Sequence, residues 1–135
     1  MVMYLLDTCI LIPIFKRDCD IQKRVWDIGF DRVFVPEPVL AELLVGAYKS
    51  GIPDEMDHIR WVRRYFNVLP ASQAVVDRYA SLRADLEKQG LRLDSFDLLI
   101  AATALEYNLI LVTGNVKHFS RIPCLRIENW IESCR

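Results

Sequence analysis

The stretch FDLLIAATALEYNLILVT (96–113) constrains the fold more than any other. Residues 96–108 are apolar nearly all round at helical spacing, so this helix should be buried on every side. Residues 109–113 then form a continuous apolar run. A strand with no polar face belongs to the interior of a parallel sheet, covered by helices above and below. Shorter runs of the same kind occur at Val2–Asp7 and in RVFVP (32–36), which Pro36 stops. LRIENW (125–130) reads as a last strand or strand-like tail. Between them lie helical patterns. DIQKRVWDIGF (20–30) repeats apolar residues at 21, 25 and 28, and EPVLAELLVGAYKSG (37–51) has Pro38 in its first turn and Gly51 after its last. PDEMDHIRWVRRYF (53–66) aligns Met56, Ile59, Val62 and Phe66, and SQAVVDRYASLRADLEKQG (72–90) runs from an N-cap at Ser72 to a terminator at Gly90. Strands alternating with helices predict an α/β fold, a three-layer α/β/α sandwich around a small parallel sheet of four to five strands. A chain of 135 residues without repeats or low-complexity tracts suits a single domain spanning 1–135.

Composition narrows the function classes. With 53% hydrophobic and 26% charged residues the chain is globular, and a net charge of −1 argues against coating nucleic acid by bulk charge. The cation clusters KRDCDIQKR (16–24) and HIRWVRRYF (58–66) read as solvated helix faces. The opening apolar run is no secretory signal, because no Lys or Arg precedes it, Asp7 interrupts it and no small-residue cleavage site follows. It is too short to span a bilayer. A cytoplasmic location without membrane association is therefore expected. Cys9, Cys19, Cys124 and Cys134 lack metal-ligand spacing and are expected to be reduced.

Ligands of parallel α/β sheets bind at the carboxyl ends of the strands. Asp7 ends the first strand, and Thr113, Gly114 and Asn115 stand at the carboxyl end of the strand at 109–113. Each candidate has an ordinary reading. Asp7 would serve as a buried carboxylate held by backbone N–H groups, Asp97 as a helix cap (a task Asp94 or Ser95 would do as well), and Asn115 as a turn residue. Glu42 is mid-helix, with Pro38, Val39, Val45 and Gly46 at i±3 and i±4, so no local cation pairs with it. Gly46, costing about 1 kcal/mol against Ala, suits a helix that something must approach closely. Taken together, Asp7, Glu42 and Asp97 can converge on one sheet edge. Like charges ~5 Å apart at an effective dielectric of ~20 repel by about 3 kcal/mol per pair. Three carboxylates so placed call for a compensating cation, and an oxygen-only set points to Mg²⁺ or Mn²⁺. Such ions serve phosphoryl chemistry, polarising the phosphate and activating water.

The segments YLLDTCILI, VLAELLVGAYKSG, FDLLIAATAL and LILVTGNVKHFSRIPCLRIENW resemble, in order and spacing, the PIN-domain ribonucleases, above all the VapC-like toxins of type II toxin–antitoxin pairs. The resemblance implies a metal-dependent endoribonuclease acting on structured RNA of the translation machinery. It also implies a homodimer and a cognate antitoxin whose tail blocks the active site. It places the family's acids on Asp7, Glu42 and Asp97, all three as metal ligands, and its polar pair on Thr113 and Asn115, which would orient a water. Thr8 matches the hydroxyl residue after the first acid. Two departures stand out. Cys9 replaces the usual Asn, and a thiol orients its neighbours poorly. Asn115 replaces a common Asp, so one tightly held ion is expected instead of two. Arg63, Arg64 and Arg92 are candidate phosphate grips, and Asp94 a cap or supporting acid. An aspartyl-phosphate phosphatase would need a second Asp at position 9. A phospho-acceptor domain would need paired acids after the first strand and a Lys after the last. A catalytically inactive PIN-like binding module for RNA or protein is the alternative, which the intact acids argue against.

Overall fold

The order in which strands sit side by side decides where this chain can place a site. The computed structural model describes residues 1–133, with side chains through Ile131; Cys134 lies outside the described residues. Strand β1 (Tyr4–Leu6) is central, flanked by β2 (Val33–Pro36) and β4 (Ile110–Val112), with β3 (Asn67–Leu69) and β5 (Ile127–Glu128) at the edges. All four pairings are parallel, with Leu5 opposite Phe34 on one side and Leu111 on the other. The chain builds β1, β2 and β3 in one direction and then crosses back over β1 to lay down β4 and β5. Right-handed crossovers therefore send helices to both faces. The reversal leaves a crevice beyond the carboxyl ends of β1 and β4.

The expected α/β/α sandwich is what the chain forms. Leu5, Leu6, Val33, Val35, Leu111 and Val112 are fully or almost fully buried, as two-sided strands must be. Helix α6 (Ser95–Glu106) buries Leu98, Ile100, Ala101, Ala102 and Ala104, and its alanines let it approach its neighbours closely. Helices α3 (Glu37–Ser50), α4 (Pro53–Tyr65) and α5 (Gln73–Lys88) match their predicted spans within two residues. Helix α2 is Cys19–Ile28. Ser72 accepts from the N–H of Val75 as the N-cap of α5, and Gly90 adopts φ +74° in the turn that follows.

Several elements differ from expectation. The first strand is confined to Tyr4–Leu6; Asp7 still donates its N–H to the Val112 carbonyl at 3.0 Å, but its side chain caps helix α1 (Thr8–Phe15). The sequence did not suggest that helix, since Pro13 and three Ile side chains disfavour it. Strand β3 and the short helix α7 (Val116–Phe119) also went unforeseen. Beyond the neighbouring backbone of α3, no described residue comes within 4 Å of where a Cβ on Gly46 would stand, so no internal close approach demands that glycine; it lines an open groove instead. Cys9, Cys19 and Cys124 carry free thiols. Among the described residues no helix is long and apolar enough to cross a membrane.

Candidate active site

Asp7 is 6% exposed, and its burial is offset by two strong donors and a weak one, the Cys9 thiol. Its Oδ1 accepts from the backbone N–H of Thr8 at 2.8 Å, the N-cap bond of α1. Its Oδ2 accepts from the hydroxyl of Thr113 at 2.8 Å, a residue with no exposed surface just beyond β4. The Thr113 oxygen in turn accepts from the N–H of Asn115 at 3.1 Å. With its one proton given to Asp7, Thr113 orients the carboxylate. The Cys9 thiol lies 3.6 Å from both Asp7 Oδ2 and Thr113 Oγ1 and accepts from the Gly114 N–H at 3.2 Å. Burial pushes that thiol's pKa up, with the Gly114 N–H opposing and the charge of Asp7 adding to the rise.

Glu42 projects from α3, and its Oε2 accepts from the Thr8 hydroxyl at 3.0 Å. Burial raises its pKa; the Thr8 bond opposes, and the negative charges of Asp7, Asp97 and Asp94 add to the rise. Asp97 stands in the first turn of α6 but does not cap it. Asp94 does, accepting from the N–H groups of Phe96 and Asp97 at 3.1 and 3.4 Å. Asp97 is thereby released from the task that competed with a functional reading. Its pKa is raised by burial first, with nearby His118 opposing and Asp7 and Asp94 reinforcing. His118 Nε2 lies 2.8 Å from Asp97 Oδ2.

Asn115 is exposed at the N-terminal end of α7 and makes no side-chain cap there. Arg64 stacks over Tyr65 at the end of α4, and Arg63 lines a hollow beside Asn67 and Val68. Arg92 lines a small hollow with Arg83 and Leu98. Among the described residues none of the three pairs with a site acid. An apolar groove of about 420 Å³ opens beside Glu42, lined by Thr8, Ile12, Phe15, Leu43 and His58 among others.

The three predicted acids are thus near enough for their charges to act on one another, although they come from three separate elements. As the side chains stand, no three His, Cys, Asp or Glu among the described residues form a ready cation cage. The donor chemistry nevertheless fits a hard divalent ion: oxygen-only, mutually repelling, and with no Lys or Arg ion pair on Asp7, Glu42 or Asp97 among the described residues. Asp94 takes the capping role foreseen for it, whereas His118 is what the residue pattern had not assigned. The only hint of His118 was a histidine three residues past Asn115, at the same sheet edge.

A small parallel sheet with clustered carboxylates at its switch point defines a class of α/β hydrolytic sites, and comparison with known proteins narrows it. The PIN domain profile matches residues 4–123. Ribonuclease VapC2 of Haemophilus influenzae is 33% identical over 135 residues, covering 97% of this chain and all of that protein. The tRNA(fMet)-specific endonuclease VapC of Shigella flexneri is 30% identical, covering 96% and 99%. Among solved structures, DNA-bound VapBC of Salmonella typhimurium superposes with a TM-score of 0.89 at 30% identity, and VapBC2 of Rickettsia felis on a promoter DNA fragment with 0.85 at 31%. Both cover 96% of this chain and 99% of the matched chain. The chain belongs to the PIN-domain family and, within it, to the VapC ribonucleases, nucleases that hydrolyse RNA.

Proposed function

We propose that this protein is the toxin of a toxin–antitoxin pair, a divalent-cation-dependent endoribonuclease that cuts RNA of the translation machinery. Asp7, Glu42 and Asp97 would hold the cation. One observation carries the reading: Asp7 at the end of β1 and Asp97 of α6 both act by charge on Glu42 of α3, and Asp7 on Asp97, with the Thr8 and Thr113 hydroxyls, the Thr8 N–H, the Cys9 thiol and His118 to offset them. The chemistry expected of bound Mg²⁺ or Mn²⁺ there is neutralisation of phosphate charge and a water of lowered pKa. The chain's own residues do the rest. Thr113 fixes Asp7, Thr8 fixes Glu42, and the exposed amide of Asn115 would orient a water at the RNA phosphate. The Shigella relative's name gives tRNA(fMet) as its target, which supports structured translation RNA as the substrate class. A cognate antitoxin partner is supported by the VapBC assemblies among the neighbours, and the apolar groove beside Glu42 suits a tail that blocks the site. A homodimer is part of the same reading, and Val45 and Tyr48 of α3 and Val76 of α5 are exposed apolar side chains available to it.

The test is incubation of the purified chain with total tRNA. Discrete fragments are expected with Mg²⁺ or Mn²⁺ and none with EDTA. Cleavage that persists in EDTA overturns the cation dependence, and RNA binding without cleavage under any ion favours the inactive module.

A second expectation follows from the raised carboxyls. Glu42 and Asp97 bind protons more readily folded than unfolded. Their ionisation therefore opposes folding: the penalty is absent below the unfolded-state pKa, grows as pH rises through the folded-state values, and is complete above them. Mn²⁺ added at pH 7 should raise the melting temperature, by the equivalent of about 2.7 kcal/mol at a hundredfold excess over Kd. The rise should vanish once the pH falls below the carboxylate range. Differential scanning fluorimetry at both pH values checks this, and an equal rise at both would refute it.

A further inference from the structure

The loop after β4 reaches two of the three acids. Thr113 bonds Asp7, and five residues later His118 meets Asp97 with Nε2 2.8 Å from Oδ2. The imidazole is well supported for this. The N–H groups of His118 and Phe119 bond the Asn115 carbonyl at 3.1 and 3.3 Å, and the Asn115 N–H bonds Thr113. The His118 ring meets the Phe119 ring edge-on, centroids 5.8 Å apart, and Phe119 is completely buried. The segment from Thr113 to Phe119 is therefore one rigid fixture, anchored in the core at its far end.

Asp97 needs such a fixture. Its backbone is held by the Asp94 cap, but that leaves its carboxylate free to change rotamer in the first turn of α6. Among the described residues His118 is the one side chain that donates to it. We infer that His118 is a positioning residue for the third acid: it grips Asp97 Oδ2 and fixes the plane of the carboxylate, leaving Oδ1 for a cation. This rests on the reading of Asp97 as a cation ligand. Carboxylate ligands are commonly held by such outer hydrogen bonds, and losing one costs on the order of 10–100-fold in metal affinity. The neutral Nε2–H tautomer and the imidazolium both donate from Nε2, so the tether does not depend on the charge of the ring.

The experiment is titration of the EDTA-stripped full chain with Mn²⁺, followed by the electron paramagnetic resonance of free Mn²⁺, with tRNA cleavage measured in parallel. His118→Ala should weaken Mn²⁺ binding by about 10–100-fold while the melting temperature stays near wild type. His118→Gln, whose amide donates from a similar position, should bind within about threefold of wild type. Rescue by Gln separates the hydrogen bond from ring packing and from charge, neither of which Gln supplies. His118→Asn, with a shorter amide, should behave like His118→Ala and replaces it if the alanine variant does not fold. Unchanged Mn²⁺ affinity in His118→Ala overturns the inference, and so does tighter binding, which would make His118 a competitor of the ion. A Gln variant as weak as Ala overturns it in favour of charge. Wild type that binds no Mn²⁺ overturns the cation reading itself, and is recognised because every variant then gives the same blank.

Discussion

Asp7→Asn should abolish RNA cleavage, with kcat/KM down by on the order of 10³-fold or more, about 4 kcal/mol of lost transition-state stabilisation. The substitution removes the most buried of the three negative charges and little else. Asn is as good an N-cap as Asp, so the bond to the Thr8 N–H survives. Near Thr113 the new amide N–H₂ donates to the hydroxyl oxygen, whose own proton turns to the Cys9 sulfur 3.6 Å away. The fold should persist, and a circular dichroism melt within a few degrees of wild type would confirm it. Asp7→Ala is the less informative variant. Charge repulsion alone would have this variant fold as well as wild type or better. The hydrogen bonds reverse that expectation, because alanine forfeits the cap, about 0.5–2 kcal/mol, and strands the buried Thr113 hydroxyl, about 1–3 kcal/mol. Cation-dependent cleavage retained by pure Asp7→Asn would remove Asp7 from the catalytic set.

The same pair of residues shows where sequence reading stops. Position 7 was legible as anomalous, an acid in an apolar run at a strand end. What satisfies it was not, because the Thr113 donor is 106 residues away in sequence and its depth depends on the whole sheet. Strands β2 and β4 were legible because burial on both faces leaves uninterrupted apolar runs. Strand β3 was not, being three residues, one of them Asn67, that owe their extended form to pairing with β2. Helix α1 hid behind Pro13; its start is set by the Asp7 cap and its side chains Ile10, Leu11 and Ile14 by burial, so packing overrides propensity there. Asp94, Ser95 and Asp97 are all chemically able to cap α6, and only coordinates separate the cap from the acid it frees. The PIN-like, VapC-like resemblance carried by the four quoted segments is borne out by the domain match and by the relatives.

Trp130→Ala should cost about 3–5 kcal/mol of folding stability, a large share of the 5–15 kcal/mol typical of a domain. Trp130 is wholly buried although it lies near the end of the chain. Its ring meets Tyr4 of β1 with centroids 5.3 Å apart, and the Arg24 guanidinium of α2 sits 5.0 Å from its centroid on the ring face. Its indole N–H donates to Glu128 Oε1 at 3.0 Å, and Glu128 is also 3.6 Å from Arg24. Alanine would therefore open a cavity, remove a cation–π contact and deprive Glu128 of a donor. The consequence reaches the site through β5. That strand is two residues long, and the Glu128 carbonyl accepts from the Thr113 N–H at 3.0 Å, one step before the Thr113 hydroxyl meets Asp7. Loosening β5 loosens the donor that orients the first acid. Urea denaturation should show the stability loss, and the folded fraction should cleave RNA more slowly than wild type but far faster than Asp7→Asn. Trp130→Phe keeps most of the buried ring and the cation–π face while losing the N–H, so a cost of about 1–2 kcal/mol is expected. A Trp130→Ala chain as stable as wild type would show that the tail does not hold β5, and that Thr113 is placed by β4 alone.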